Sequence, residues 1–228
     1  MSRPPLFIHI PRTGGQAIVK SNLAMPVSLK YISKRMLDIE HMDPNYLTEI
    51  KPLPPFFKYL PYSYLDTSYL SRFSSIFTVV RNPWSRVVSL YFYADKIKSL
   101  GIKDARYSKD KISFEEFLEA RNLFKMTPGF YRSHPYDQWA TQLDWIVSGK
   151  NRKISIDALR YEHLEEDLSS YLGKKVEVPV VNKGIYEEDY RYYYNDDTAK
   201  IVQDWFKVDI DRWGFTFDGT ATKNFWAI

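Results

Sequence analysis

The sequence predicts an α/β fold, a central parallel β-sheet flanked by helices, in a single domain spanning residues 1–228. Three observations lead there. Leu6 to Ile10 is a short apolar run that stops at Pro11 and the Gly14–Gly15 pair, after which Gln16 to Leu23 reads as a helix. Ser75 to Val80 (SIFTVV) repeats the arrangement: it is rich in β-branched residues on both faces, as a buried parallel strand should be, and runs on into a helical pattern from Trp84 to Lys98. Two strand-to-helix units imply a parallel sheet with helices packed on it. A chain of 228 residues with 44% hydrophobic content can bury one sizeable core and is short for two.

In the second unit Asn82 and Pro83 supply a helix N-cap and first turn, and Trp84, Val87, Val88, Tyr91 and Ala94 keep a helical apolar spacing. Residues 28–72, rich in Pro, Tyr and Lys, read as irregular with short helices. Ser113 followed by Glu116 is a capping box that opens the helix FEEFLEA. Ile154 to Leu159 reads as a further strand leading to a helix around His163 to Leu172. Near the end, Asn195 or Asp196 caps a helix whose Ile201, Val202, Trp205, Phe206 and Trp213 form one apolar face, with Gly214 as its stop. Aromatic residues make up 17% of the chain, and the tyrosine clusters at 59–69 and 186–194 either fill the edge of the core or line a groove for a flat ring.

Composition excludes several function classes. The net charge of +4, from 32 basic and 28 acidic residues, is spread along the chain without the basic run that tracks a nucleic-acid backbone. There is no cysteine, and the four histidines show no metal-ligand spacing, so no structural metal is expected. The apolar stretch near the N-terminus is too short for a signal peptide or a membrane span, so the cytoplasm is the expected compartment.

Two segments carry chemistry. In the first, Pro11, Arg12, Thr13, Gly14, Gly15, Gln16 and Ala17 join the end of a strand to the start of a helix, where backbone N–H groups unobstructed by a Cβ can surround an anion. Arg12 adds a charge and a fork of donors. The alternative is that the glycines only make a tight turn. A nucleoside triphosphatase would need GxxxxGK[ST], which is absent. In the second, Arg81 stands after the second strand, where such an enzyme usually places a magnesium-binding acid. Asn82, Arg86 and Ser89 share one face of the following helix, so Arg81 and the Ser89 hydroxyl can converge on a second phosphate; the alternative is an ordinary solvated polar face.

Taken together, FIHIPRTGGQ and FTVVRNPWSRVVSLYFY resemble the two nucleotide signatures of the sulfotransferase superfamily. The resemblance is greatest to the carbohydrate sulfotransferase branch, with its HIPKTGGTS and VRNPWxRLVSxY. SFEEFL, ALRYEHLEEDL and the closing segment from Val180 to Phe217 fit the same branch, and residues 28–72 fit it least. The resemblance implies a P-loop-like fold that binds 3′-phosphoadenosine 5′-phosphosulfate (PAPS) without metal and releases the bisphosphate PAP. The 5′-phosphosulfate would lie in the loop Arg12 to Ala17, and the 3′-phosphate would meet Arg81 and Ser89, with Lys183 and Gly184 closing over the nucleotide. Two departures stand out. The family's lysine is Arg12 here, which keeps the charge but cannot act as a general acid, and its Thr-Ser pair is Gln16–Ala17, which removes hydroxyl ligands.

Sulfuryl transfer needs an in-line approach, stabilisation of charge on the leaving group, and a base for the acceptor proton. Arg12 and the loop N–H groups suit the second task. His41, His134, Glu40 and Asp43 are candidates for the third, with His41 favoured because relatives often carry a histidine between the two signatures. His134 is the candidate for binding the acceptor, which is expected to be a carbohydrate hydroxyl. His9, inside the first strand, reads as a core histidine. The competing readings are a non-catalytic nucleotide- or glycan-binding protein of the same fold, and a nucleotide kinase.

Overall fold

The computed structural model describes residues 3–21, 24–26, 67–99, 113–123, 140–146, 156–179 and 189–226. Four parallel strands form one sheet in the order β2-β1-β3-β4: β1 is Leu6–Ile8, β2 Met25–Pro26, β3 Ile76–Val80 and β4 Asp157–Arg160. Leu6, Phe7 and Ile8 pair with Ile76, Phe77 and Thr78, and Phe77 to Val80 pair with Asp157 to Arg160. The predicted α/β architecture with a parallel sheet is therefore the one observed. The strands are shorter than the apolar runs suggest, because Ile10 and Ser75 lie beyond the paired residues.

Side chains alternate across a strand, and both faces here are apolar, which obliges helices to cover both. Leu6, Ile8 and Val80 join Trp84, Val87, Phe206 and Trp213 in one buried cluster, while Phe7, Phe77, Val79 and Leu159 join Ile18, Leu164 and Leu168 in the other. The first face is covered by helices α3 (Pro83–Ser99), α4 (Phe114–Leu123), α5 (Gln142–Ile146), α7 (Asp196–Trp205) and α8 (Lys207–Trp213). The second is covered by α1 (Gly15–Lys20) and α6 (Leu164–Leu172); α2 is the short helix Thr67–Leu70.

Local signals set several of these boundaries. The Asn82 carboxamide oxygen accepts the Trp84 and Ser85 N–H groups, which caps α3 as its sequence predicts. Its Nδ2 donates to the Thr216 and Gly219 carbonyls, so the cap also fastens the C-terminal segment. Ser113 and Glu116 form the expected capping box on α4, and Asn195 forms one with Thr198 on α7. The single C-terminal helix expected from periodicity is two helices, broken at Phe206, before Gly214 ends the second at φ +67°. Tyr190, Tyr193 and Tyr194 pack at the edge of the core, while Tyr192 is exposed.

Candidate functional site

The loop after β1 and the turn after β3 lie side by side because their strands are neighbours and parallel, and such strands gather ligand groups at their carboxyl ends. Within the loop, Arg12 adopts φ +68° and Gly14 φ +80°. A left-handed arginine is held at a cost of about 1–3 kcal/mol, so surrounding contacts must fix it. They do. The Arg81 Nη1 donates to the Arg12 carbonyl at 3.2 Å, and the Arg12 Nε and Nη2 both donate to the Ser89 hydroxyl, at 3.0 and 2.9 Å. Thr13 spends its hydroxyl proton on the Ile10 carbonyl at 2.9 Å, which tightens the turn and leaves the residue buried. Gly15 is required by contact: a Cβ there would lie 2.2 Å from the His9 ring. His9 is buried and stacks on Phe7, as expected of a core histidine.

Arg81 is itself buried. Its Nε donates to the Ser85 hydroxyl at 2.9 Å, and its guanidinium lies over the Tyr161 ring, 4.2 Å from the centroid. The same ring flanks Gly14, where a Cβ would meet it at 3.0 Å. Tyr161 thus touches both the loop and the arginine. Ser89 accepts from Arg12, and its own O–H is not spent on any described residue.

Beneath these groups lies a polar frame. Arg86 is fully buried and donates to the Pro11 carbonyl at 3.1 Å and the Ala140 carbonyl at 3.0 Å. Three guanidinium groups therefore meet at Pro11 and Arg12. Burial pushes the Arg86 guanidinium down to about 10, the charges of Arg81 and Arg12 push the same way, and Asp209 opposes them. Asp209 is also fully buried, which pushes its carboxyl up to about 6 even though it accepts the Gln142 and Leu143 N–H groups at 2.7 and 2.9 Å. Gln142 in turn holds both backbone groups of Arg81: its Oε1 accepts the Arg81 N–H and its Nε2 donates to the Arg81 carbonyl, each at 2.8 Å.

Of the residues singled out from sequence, the structure brings Pro11 to Ala17, Arg81 and Ser89 into one neighbourhood. Glu40, His41, Asp43, His134, Lys183 and Gly184 lie outside the described residues. Arg86 does not belong to a solvated face. Sequence reading does not reach the parts played by Ser85, Tyr161, Gln142 and Asp209. Ser85 sits four residues after Arg81 and is recoverable from helical spacing, whereas the other three come from remote segments with no local signal. Among the described residues no group of three or more His, Asp or Glu gathers as a metal site would, and no helix is long and apolar enough to cross a membrane.

Comparison with known proteins bears on this geometry. Residues 20–178 match the family model described as the sulfotransferase domain, a span that contains Arg81 and Ser89 and begins just after the loop 11–17. No curated protein sequence matches significantly. Among solved structures, that of retinol dehydratase with androsterone and the inactive cofactor PAP has 15% identity, a TM-score of 0.44, and coverage of 96% of this chain and 84% of that one. A sulfotransferase from Alicyclobacillus acidocaldarius has 15% identity, a TM-score of 0.37, and coverage of 93% and 97%. The family match spans more than two thirds of the chain, and on that basis the chain belongs to the sulfotransferase-domain family.

Proposed function

We propose that the protein transfers the sulfuryl group of PAPS to a hydroxyl of a carbohydrate, without a metal ion. The observation that carries this reading is the convergence of Arg12, Arg81 and Ser89 at the carboxyl ends of two adjacent parallel strands, in a chain of the sulfotransferase-domain family. The residues fit such a donor. Two guanidinium groups bring positive charge to the carboxyl ends of β1 and β3, and a buried hydroxyl keeps a proton to give.

PAPS supplies an activated sulfuryl group on a phosphate leaving group. In this reading Arg12 and the backbone of Pro11 to Ala17 hold the 5′-phosphosulfate, where the Arg12 charge stabilises the leaving phosphate. Arg81 and Ser89 hold the 3′-phosphate, and Lys183 and Gly184 close over the nucleotide. His41 takes the acceptor proton and His134 binds the acceptor. The carbohydrate assignment rests on the likeness of RNPWSRVVSLYFY and the closing segment to the carbohydrate branch.

Two measurements test the reading. Calorimetry should show PAP binding without magnesium and more tightly than ATP with magnesium; the reverse order would remove the donor assignment. Transfer of labelled sulfate to a panel of saccharides, sterols and simple alcohols should favour the saccharides, and preference for another class would redirect the acceptor.

A further inference from the structure

Arg81 is useful to an anion only if its guanidinium is held in place, and its side chain has four torsions that burial alone does not fix. What fixes its starting point is unusual. Beyond Val80 the β3 ladder ends, so the Arg81 peptide has no strand partner of its own. A primary amide carries an acceptor and a donor side by side and so can pair with both backbone groups of one residue, and Gln142 does this at 2.8 Å from α5, 61 residues away. Gln142 is fully buried. Its own position is set by Asp209 of α8, whose two carboxylate oxygens take the Gln142 and Leu143 N–H groups.

We propose that Gln142 and Asp209 are positioning residues for the anion site: Asp209 anchors the first turn of α5, and Gln142 from that turn clamps the Arg81 peptide so that its guanidinium rests on the Arg12 carbonyl and over Tyr161. The proposal rests on the reading of Arg81 as the ligand of the donor's 3′-phosphate. Neither positioning residue touches the nucleotide. Their effect passes through Arg81, which makes it separable from a general role in folding.

The test is a double-mutant cycle with the full chain, Gln142→Met against Arg81→Ala, read by calorimetry with PAP and with adenosine 5′-phosphosulfate, which lacks the 3′-phosphate. Methionine keeps the length of the side chain and removes both hydrogen bonds. Gln142→Met should weaken PAP by about tenfold or more and adenosine 5′-phosphosulfate by less than about threefold, while the double variant binds PAP no more weakly than Arg81→Ala alone, as expected of coupled residues. Asp209→Asn should weaken PAP in the same selective way. Hydrogen exchange at the Arg81 amide should quicken in Gln142→Met, and an unchanged rate overturns the clamp whether or not the chain binds PAP. Equal losses for the two nucleotides, or losses that add in the double variant, also overturn it. If Gln142→Met fails to fold, Gln142→Asn, which keeps both groups on a shorter arm, enters the same cycle with the same criteria. Wild-type protein that shows no PAP binding but slow Arg81 exchange that quickens in the variant would refute the donor reading and leave the clamp standing.

Discussion

Ser89→Ala is the most informative single substitution, because the change is one oxygen atom at the centre of the site. The hydroxyl accepts two hydrogen bonds from Arg12 and, in the proposed function, donates one to the 3′-phosphate. A hydrogen bond to a charged group contributes about 1.5–3 kcal/mol, so losing the one to phosphate should weaken PAP by about 10- to 150-fold. Freeing the Arg12 fork adds a smaller loss of about 1 kcal/mol, roughly fivefold, that any nucleotide with a 5′-phosphate should share, since Arg12 is only partly buried and water can replace Ser89. Stability should change little, because alanine is the better helix former at this position within α3. Paired titrations with PAP and adenosine 5′-phosphosulfate measure both terms, with a thermal scan as the folding control. The affinity ratio of the two nucleotides should fall by about tenfold or more. A single common factor for both ligands would refute the assignment of Ser89 to the 3′-phosphate and leave it as an anchor for Arg12 alone.

Three further outcomes follow from particular contacts, and a fourth from the proposed function. Gly15→Ala should destabilise the fold by about 1–3 kcal/mol, seen as a lower thermal midpoint, and His9→Ala should restore part of the loss, since the added methyl collides with that ring; no loss in Gly15→Ala would show that the ring moves freely. Asp209 has a folded value raised from 3.8 to about 6, so the folded state holds this proton more tightly than the unfolded one. Its contribution is therefore greatest below about pH 4 and is lost as pH rises through about 6, on the order of 3 kcal/mol in all, and denaturant titrations across pH 4–7 should show that slope in wild-type protein but not in Asp209→Asn. Arg12→Ala should lower turnover more than donor affinity, and Arg12→Lys should recover part of the turnover, less than full because an ammonium cannot fork onto Ser89; equally dead variants would mean that geometry outweighs charge. His41→Ala should cut turnover by roughly 100-fold or more with PAP affinity unchanged, whereas His134→Ala should mainly raise the acceptor KM; the opposite pattern would exchange their roles.

Much of the fold was legible in the sequence because its causes are local. A strand buried on both faces is rich in apolar and β-branched residues, so SIFTVV announced β3, and Asn82–Pro83 announced the start of α3 through the hydrogen bonds that a first turn leaves open. The break at Phe206 was not legible, since an apolar face continues through it and the decision to bend is made by packing against the sheet. Within the site, residue type and helical spacing marked Arg81 and Ser89 as groups that converge, whereas the pairing of β1 with β3 is what sets Arg12 beside them. Whether the face of α3 that bears Arg86 is wet or buried depends on which segments cover it, and Ala140 and Phe206 do so from 54 and 120 positions away in the chain. The same holds for Gln142 and Tyr161, whose contacts with Arg81 exist only after the sheet has set β3 beside β4 and the C-terminal helices have closed over it. Sequence thus determined which groups carry the charge and hydrogen-bonding capacity that an anion site needs, because both belong to the residue. Tertiary structure decided how they are aimed, because a side chain's direction is set by whatever distant part of the chain grips its backbone.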